Sequence, residues 1–526
     1  MKVLVLDGVE EEGLEALKQE PDIEVDICNK MTEDELAGII GAYDGIVVRS
    51  ATKVNARIIE SAAKLKVIGR AGAGVDNIDV SAATARGILV VNAPGGNTIA
   101  VAEHTIAMMQ SLARNIPQAN SALRSGRWDK KTYMGVELRG KALGVIGLGR
   151  IGSAVAKRAQ GLEMKVIAHD PYITREKAEI MGIELLPLED VLRRADFITV
   201  HLPLNKESRH ILGKGAFGLV KDGVKIINCA RGGVVDEQAL YEAMKSGKVA
   251  GAALDVFEQE PNTASPLFEL DNFIATPHLG ASTSEAQLCV AIDVAQEIVS
   301  ALKGEFVKNA VNIPSLSPKT MAIVRPYLSL AEKMGKFVAQ LIRGRVNKIE
   351  ITYSGDLANK EVAPITTSLL KGFLDTILQE MVNFVNASLL ARHRGISVIQ
   401  KQAGEEGDYA NLISVRVVSN KDEISVAGTI FGGIDARIVS INGYHVDAVP
   451  EGHMLYVPHI DKPRIIGPVG NLIGAHDINI SAMQVGRKVI GGEAIMLLSV
   501  DAFVPEETLT EIKKIDGVMD VRNVSI

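Results

Sequence analysis

The stretch Ala142-Leu-Gly-Val-Ile-Gly-Leu-Gly-Arg-Ile-Gly152 decides the fold of this chain. A short apolar run, Ala142–Ile146, is followed at once by the pattern Gly-x-Gly-x-x-Gly and then by Ser153–Gln160, which has helical periodicity. A strand that turns through three glycines into a helix brings backbone N–H groups and a helix N-terminus close to a pyrophosphate. The stretch therefore predicts an α/β domain that binds a dinucleotide.

An acidic residue after the next predicted strand indicates which dinucleotide. The strand Lys165–His169 is followed by Asp170, 18 positions after Gly152. A carboxylate at this point accepts hydrogen bonds from the adenosine ribose hydroxyls and repels a 2′-phosphate, which favours NAD over NADP. The alternative is a glycine-rich turn that only packs a helix on a strand, with Asp170 as a solvated strand end.

Strand-like and helix-like segments alternate on both sides of this motif, which predicts two doubly wound, Rossmann-like parallel sheets. The first series has expected strands at Lys2–Leu6, Ile23–Ile27, Gly45–Arg49, Lys66–Gly69 and Ile88–Asn92, with helical segments such as Glu11–Gln19 and Glu33–Ile40 between them. The second has expected strands at Ala142–Ile146, Lys165–His169, Phe197–His201, Lys225–Asn228, Ala252–Asp255 and Phe273–Thr276. We predict one long helix over Asn97–Arg124 between the two series and another helix over Glu285–Lys303 after them.

The pattern changes after Asn312–Pro318, a proline- and serine-containing stretch that predicts a linker. An α+β domain is expected next, with helices at Ala322–Gly344 and Ala363–Leu390, strands at Leu412–Val418 and Glu423–Thr429, and turns at Phe431–Gly433 and Asn442-Gly443. The last segment predicts the ferredoxin-like order βαββαβ. Its pieces are Met454–His459, Ile465–Ala475, Ile478–Gly486, Glu493–Val500, Glu506–Ile515 and Val518–Val524.

Three short islands that follow predicted strands carry side chains suited to chemistry on a hydroxy acid. They contain Arg231 (Cys-Ala-Arg-Gly-Gly), Glu260 (Phe-Glu-Gln-Glu-Pro) and His278 (Pro-His-Leu-Gly). An arginine can hold a carboxylate through two hydrogen bonds, and a histidine beside a carboxylate can take up a proton near neutral pH. Taken singly, each also fits an ordinary loop residue, but beside a dinucleotide site the set predicts hydride transfer from a 2-hydroxy acid.

Composition argues against several other classes of protein. The chain has 526 residues, enough for three or four domains, with 47% hydrophobic and 23% charged residues, as in globular proteins. A net charge of -7 disfavours nucleic-acid and anionic-membrane surfaces. Three cysteines without paired or metal-type spacing favour a reducing cytosol and no metal site. We find no signal peptide and no apolar stretch of about 18 residues that would span a membrane.

The islands resemble those of the D-isomer-specific 2-hydroxyacid dehydrogenases, and the resemblance extends over essentially the whole chain. It includes the stretches that begin at Arg70 (RAGAGVDNID), Asn92 (NAPGGNT), Gly126 (GRWDK), Gly428 (GTIFGG) and Val449 (VPEGHM). The C-terminal part resembles the long members, which carry an allosteric substrate-binding (ASB-type) domain and then a regulatory ACT domain. The implied division is 1–96 with 282–313 for the substrate, 97–281 for NAD, 314–452 for the ASB-type domain and 453–526 for the ACT domain.

This resemblance implies NAD-dependent oxidation of 3-phospho-D-glycerate to 3-phosphooxypyruvate (3-phosphohydroxypyruvate), the first step of phosphorylated serine biosynthesis. Arg231 would bind the substrate carboxylate, and Glu260 with His278 would form the acid–base pair. The implied NAD contacts are Gly147, Gly149, Arg150, Ile151, Gly152, Asp170, Cys229, Ala230, Arg231, Asp255, His278 and Gly280. The implied substrate contacts are Arg49, Ser50, Gly74, Asn97, Lys130 and Arg231. A cytosolic homo-oligomer, a dimer of dimers, is also implied.

Two positions depart from the family pattern. Ala51 stands where some members have a second arginine, which shifts phosphate recognition onto Lys130 and onto Lys131 or Arg127. Asp461 stands where a serine-sensitive form has asparagine, so an added negative charge would weaken binding of the serine carboxylate. By resemblance, His459, Asp461 and Asn479 are the effector positions for L-serine, although the ACT domain could instead only pair subunits. Trp128, the single tryptophan, corresponds to a dimer-interface position; the alternative is an ordinary core residue.

Two other functions remain open from the sequence. One is a glyoxylate/hydroxypyruvate reductase, which the two-domain C-terminal part disfavours because such relatives end near Ile313. The other is an NAD-sensing scaffold without catalysis, which has no need of a phosphate pocket at Arg49, Asn97 and Lys130.

Overall fold

The structure is a computed structural model that describes residues 1–314, 318–404 and 409–526. Its strands form four sheets of five, seven, six and four strands. Residues 315–317, in the middle of the predicted linker, lie outside the described part of the chain.

The first sheet is parallel and buried on both faces. Its strands are β1 (Lys2–Val5), β2 (Glu24–Ile27), β3 (Gly45–Val48), β4 (Val67–Arg70) and β5 (Leu89–Asn92), in the order β2-β1-β3-β4-β5. Its helices are α1 (Glu15–Lys18), α2 (Glu33–Ile39), α3 (Ala56–Ser61) and α4 (Val80–Ala85). Successive residues of a strand enter opposite cores: Val3 and Val5 lie in one and Leu4 in the other. The predicted strands are confirmed to within a residue or two.

The second sheet is also parallel and carries the glycine motif. Its strands are β6 (Ala142–Ile146), β7 (Lys165–His169), β8 (Glu184–Leu185), β9 (Phe197–Val200), β10 (Val224–Asn228), β11 (Val249–Leu254) and β12 (Phe273–Ala275), in the order β12-β11-β10-β9-β6-β7-β8. The accompanying helices are α5 (Thr98–Arg114), α6 (Ile116–Arg124), α7 (Arg150–Gly161), α8 (Arg175–Ile180), α9 (Leu188–Arg194), α10 (Lys214–Leu219), α11 (Glu237–Lys245) and α12 (Ser284–Leu302). The strand order reverses between β6 and β9, where ligands of such sheets bind. α12 returns to the first sheet, since Val290, Val294 and Ile298 lie in its core.

Two of the predicted long helices are wrong. Asn97–Arg124 is broken at Asn115, whose φ of +53° is left-handed, and α6 starts next to Pro117, which has no N–H to continue the helical hydrogen bonds. Ala363–Leu390 is also two helices, because Leu378 is extended and Asn383 and Asn386 hold a turn with their side chains. Apolar periodicity runs through the break at Leu378 because the helices on either side of it bury their faces in one core. In α6, by contrast, the buried residue is Ala122.

The third sheet is mixed. Its strands are β13 (Val346–Gly355), β14 (Ser397–Ala403), β15 (Asn411–Ser419), β16 (Glu423–Phe431), β17 (Asp435–Ile441) and β18 (Tyr444–Ala448), in the order β14-β13-β15-β16-β17-β18. The helices α13 (Pro318–Leu341), α14 (Ala363–Ile377) and α15 (Ala387–His393) accompany it. β13 and β14 fall where no strand was predicted, whereas the turn at Asn442-Gly443 does join β17 to β18.

The fourth sheet confirms the ferredoxin-like order. Its elements are β19 (His453–Ile460), α16 (Ile466–Ala475), β20 (Ile480–Arg487), β21 (Glu493–Val500), α17 (Glu506–Lys513) and β22 (Arg522–Ser525). The antiparallel strands lie in the order β20-β21-β19-β22. In the described part of the chain, none of the helices is long and apolar enough to span a bilayer.

Candidate active site

The glycine turn after β6 has the shape that a pyrophosphate requires. Gly147 has φ +93°, and a Cβ there would lie 2.6 Å from the carbonyl oxygen of His201. A Cβ on Gly152 would lie 2.0 Å from the Gly147 carbonyl, so packing of the turn against the helix needs both glycines. A Cβ on Gly149 would meet nothing within 4 Å, so open space lies in front of the N-terminus of α7. A dinucleotide phosphate fits this space.

Asp170 lies against the same turn. Its Oδ2 accepts a hydrogen bond from the Leu148 N–H at 2.8 Å, and its Oδ1 accepts one from the Tyr172 N–H at 2.8 Å. Each carboxylate oxygen has a second acceptor site, which leaves room for ribose hydroxyls. Arg150 and Ile151 form the first turn of α7; Arg150 is exposed and Ile151 is partly buried.

His278 and Glu260 form a hydrogen-bonded pair. The His278 Nδ1–H donates to Glu260 Oε2 at 2.7 Å, and the Phe257 N–H donates to the other Glu260 oxygen at 3.0 Å. The hydrogen bond to Glu260 raises the pKa of His278, although burial opposes the shift. Burial also opposes the shift at Glu260, but the hydrogen bonds from His278 and Phe257 lower the pKa of that carboxyl. His278 can therefore hold a proton, and its Nε2 remains available to exchange that proton with a substrate.

Asp255 holds the turn on which His278 lies. It is 1% exposed, and its carboxylate accepts hydrogen bonds from the Thr276 hydroxyl at 2.6 Å and from the N–H groups of Leu279 and Gly280 at 2.7 and 2.8 Å. Although burial opposes it, hydrogen bonds that include these lower the pKa of Asp255. The charge of Asp255 thus fixes the Thr276 side chain before His278 and the backbone after it, and His278 itself has a left-handed φ of +57°.

Arg231 joins the two halves of the cleft. Its Nε donates to Asp76 Oδ2 at 2.9 Å, and its Nη1 donates to the carbonyl of Ala230 at 2.7 Å. Asp76 follows β4 of the first sheet, whereas Arg231 follows β10 of the second. A Cβ on Gly74 would lie only 2.0 Å from Nη2 of Arg231, so a glycine is needed there. Cys229 beside this loop is buried, and burial raises the pKa of its thiol to about 12, so it is not a nucleophile.

The structure adds Arg70, which sequence reasoning did not select as a site residue. Burial, and then the positive charges of Arg231 and Arg49, lower the pKa of Arg70 to about 10. Its Nε is buried and has no hydrogen-bond partner among the described residues. Three arginines thus converge where the first sheet meets Arg231, which indicates an anion site. The available signal was that Arg70, like Arg49, follows a buried strand run of the parallel sheet.

The remaining predicted substrate residues divide into two groups. Asn97 is 9% exposed and its Oδ1 has no partner within the described residues, which suits a ligand contact. Arg49 is partly buried and Ser50 is exposed, and Asp7 accepts a hydrogen bond from the Arg49 N–H at 2.9 Å. Lys130 lies instead on a surface segment, with Nζ 5.8 Å from the Trp128 ring centroid. Trp128 is 77% exposed, so it is not a core residue.

The three predicted effector residues have different surroundings. His459 is 2% exposed, with Nδ1 3.1 Å from the Val457 carbonyl oxygen. Asn479 is exposed and donates to Asp501 at 3.1 Å. Asp461 accepts hydrogen bonds from the Gly491 N–H and from Arg487 Nη1 at 3.3 and 3.1 Å, and these two groups lower its pKa. Arg487 therefore offsets the charge that distinguishes Asp461 from asparagine.

Fold and site together define an α/β protein of the dinucleotide-binding type with an Arg–Glu–His cleft between two parallel sheets. The model of the D-isomer specific 2-hydroxyacid dehydrogenase NAD binding domain matches residues 106–280. The D-3-phosphoglycerate dehydrogenase intervening domain matches 323–442, and the ACT domain matches 453–517. Among the described residues, no group of three or more His, Cys, Asp or Glu side chains could hold a metal ion.

Full-length relatives place the chain within this family. It is 48% identical to D-3-phosphoglycerate dehydrogenase of Archaeoglobus fulgidus and 47% identical to that of Methanocaldococcus jannaschii, each over 100% of both chains. It is 45% identical to the Bacillus subtilis enzyme of that name over 100% of this chain and 99% of the relative. The chain belongs to the D-isomer-specific 2-hydroxyacid dehydrogenases, in the long form typified by D-3-phosphoglycerate dehydrogenase, and its cofactor is NAD.

Solved structures match about three fifths of the chain. D-lactate dehydrogenase from Aquifex aeolicus, complexed with NAD and lactic acid, is 30% identical with a TM-score of 0.53, over 60% of this chain and 100% of that one. A glyoxylate reductase from Paecilomyes thermophila is 31% identical with a TM-score of 0.54, over 59% of this chain and 98% of that one. These relatives share the cleft architecture with different substrates, so substrate choice depends on side chains within the cleft.

Proposed function

We propose that this protein oxidises 3-phospho-D-glycerate to 3-phosphooxypyruvate with NAD, in the phosphorylated route to serine. The observation that carries the proposal is the formed His278–Glu260 pair at 2.7 Å together with Arg231 and two further arginines. A substrate with both a carboxylate and a phosphate requires such a concentration of positive charge. The full-length relatives named D-3-phosphoglycerate dehydrogenase support the same substrate.

The residues of the cleft have distinct parts in this reaction. Arg231 holds the carboxylate of the substrate and polarises the carbonyl that develops at C2. His278 accepts the hydroxyl proton at Nε2, and Glu260 stabilises the resulting imidazolium and fixes the ring. The Gly147–Gly152 turn and Asp170 would hold NAD, which would supply the acceptor for the hydride from C2. In the reverse direction, His278 returns the proton to the substrate oxygen.

Two sets of residues complete the cleft. We propose that Arg49 and Arg70 hold the phosphate, with Ser50 and Asn97 as further polar contacts and Gly74 as the residue that makes room for Arg231. The turn from Gly147 to Gly152, with Asp170, holds the adenosine and pyrophosphate of NAD. Asp255 and Gly280 place the loop that carries His278, and the Cys229–Ala230 backbone lines the nicotinamide side.

We propose a homo-oligomer, a dimer of dimers, in the cytosol. The exposed Trp128, with Lys130 against its ring, supports a subunit contact here, and Lys130 would reach the neighbouring cleft. The proposed domain division keeps the predicted boundaries: 1–96 with 282–313, 97–281, 314–452 and 453–526.

The ACT domain is proposed to bind a small-molecule effector, L-serine, at an interface between two copies. His459, Asp461 and Asn479 mark this site, and Arg487 contributes the positive charge that lets Asp461 stay beside an amino-acid carboxylate. Loss of serine inhibition in Arg487→Ala, with retained inhibition in Arg522→Ala on β22, would support this placement. Equal responses of the two variants would remove it.

The activity is tested by NADH consumption with 3-phosphohydroxypyruvate, hydroxypyruvate and glyoxylate, each with and without L-serine. We expect a strong preference for the phosphorylated acid. Equal or better turnover of hydroxypyruvate or glyoxylate would make the protein a glyoxylate/hydroxypyruvate reductase. NADH binding without turnover of any of the three acids would favour an NAD-sensing scaffold.

A further inference from the structure

His210 contacts both loops that carry the proposed catalytic residues, although it has no part in the proposed chemistry. Its backbone N–H donates to the carbonyl of Gly233 at 2.8 Å, two residues after Arg231. Its side-chain Nε2 donates to Glu258 Oε1 at 3.0 Å, two residues before Glu260. His210 has a left-handed φ of +53°, a conformation that persists only where surrounding contacts fix it.

Glu258 is fixed by its backbone as well as by its side chain. Its N–H donates to Glu237 Oε1 at 2.6 Å, while its Oε1 accepts from the Glu237 N–H at 3.4 Å. Glu258 and Glu260 therefore make separate hydrogen bonds to two histidines, one to His210 and one to His278. The loop between them is held from two sides.

The two catalytic loops also touch each other. A Cβ on Gly232 would lie 1.8 Å from the carbonyl oxygen of Phe257, so the Arg231 loop packs directly on the start of the Glu260 loop. The segment after His210 runs alongside the Arg231 loop, through hydrogen bonds from Leu212 N–H to Val234 and from Asp236 N–H to Leu212. Movement of Glu258 would therefore displace Glu260 before it displaced any residue proposed to contact NAD.

The surroundings of the imidazole are acidic. Asp236 Oδ2 lies 3.8 Å from His210 Nδ1, and Asp236, Glu237 and Glu258 line one cavity of about 400 Å³ with His210. Burial, and then the neighbouring carboxylates, raise the pKa of Glu237. Without the imidazole, the Glu258 carboxylate would keep only the long hydrogen bond from the Glu237 N–H at 3.4 Å while it faced two carboxylates, and repulsion would favour its movement away.

We propose that His210 and Glu258 form a positioning pair that holds Glu260 against His278. The inference rests on the proposed acid–base role of Glu260 and His278. A general base displaced by a fraction of an ångström loses rate in the chemical step rather than affinity for substrate. His210 thus acts on turnover through Glu260, without touching substrate or cofactor.

The test is a double-mutant cycle in the full-length protein. His210→Ala should lower kcat by about tenfold, part of the 10²- to 10⁴-fold that acid–base catalysis supplies, with unchanged KM and unchanged NADH affinity. In a Glu260→Ala background the same change should have almost no further effect on kcat. His210→Gln, which keeps an N–H donor for Glu258, should restore most of the loss. Arg194→Ala, which removes the exposed pair with Glu184 beside the opposite sheet edge, is the matched control and should leave kcat unchanged.

A second readout does not depend on turnover. Carbon-13-labelled histidine allows the titration of His278 to be followed by NMR, with His278→Asn to assign its signal. His210→Ala should move the pKa of His278 downward, because Glu260 moves away. An equal loss of kcat in the Glu260→Ala background, or an unmoved His278 titration, would overturn the positioning role. Wild-type inactivity with 3-phosphohydroxypyruvate would instead contradict the proposed substrate, and the NMR result would still decide the role of His210.

Discussion

Replacing Gly74 with alanine should disable Arg231 while leaving the fold intact. The added Cβ would lie 2.0 Å from Arg231 Nη2 and 2.8 Å from Asp76 Oδ2. Both atoms are the far ends of side chains, and Gly74 does not have a left-handed φ, so no backbone strain arises. The strain is therefore relieved by movement of the guanidinium, away from where it would meet the substrate carboxylate.

The size of the effect follows from the contact that is lost. A hydrogen bond to a charged group contributes about 1.5–3 kcal/mol, which corresponds to about 10- to 150-fold in kcat/KM. Arg231 can keep its hydrogen bond to Asp76 only if its outer nitrogens turn away from the substrate carboxylate. We therefore expect kcat/KM to fall by a factor within this range. The temperature of unfolding should change little, since Asp76 is 68% exposed and Arg231 is 30% exposed.

The assay is steady-state reduction of 3-phosphohydroxypyruvate, with NADH binding followed by fluorescence. Gly38→Ala is the matched control, because it lies in the same sheet domain, on α2, and its Cβ would meet nothing within 4 Å. A Gly74→Ala protein with kcat/KM within twofold of the Gly38→Ala protein would refute the assignment of Arg231. A large fall in NADH affinity would also contradict it, because the perturbed group is on the substrate side.

Three further predictions concern the acid–base pair, the cofactor and the phosphate. Glu260→Gln removes the charge that raises the pKa of His278. The acid limb of the pH profile of kcat/KM for oxidation should therefore move to lower pH, and its plateau should fall about 10- to 100-fold. An unmoved acid limb would show that another group titrates. Asp170→Ala should weaken the preference for NAD over NADP by about 1 kcal/mol, or roughly fivefold, as judged from kcat/KM with each cofactor. Arg70→Ala should raise KM about tenfold for 3-phosphohydroxypyruvate and much less for hydroxypyruvate; equal increases would remove Arg70 from the phosphate site.

Much of the fold was predictable because local sequence patterns specify its strands and its glycine turn. Strands of a parallel sheet buried on both faces are short apolar runs, and the glycine turn between β6 and α7 has steric requirements that only glycines meet. The helix errors have a physical cause as well. Hydrophobic periodicity records which face is buried, and it continues across Leu378 because α14 and α15 face the same core. At Asn115 the break depends on one left-handed residue and on Pro117, which apolar periodicity does not record.

The sequence by itself determined the two parallel sheets and the NAD fingerprint, and it selected Arg231, Glu260 and His278 as candidate site residues, because strand ends of one sheet converge whatever the loops do. Only the tertiary structure brought Arg70 to Arg231 and placed His210 against the loops that carry Arg231 and Glu260. These contacts join residues over a hundred positions apart or on loops packed side by side, and they depend on how the two sheets meet. No local pattern predicts these contacts, because the sequence around Arg70 is the same whether its side chain faces another arginine or water.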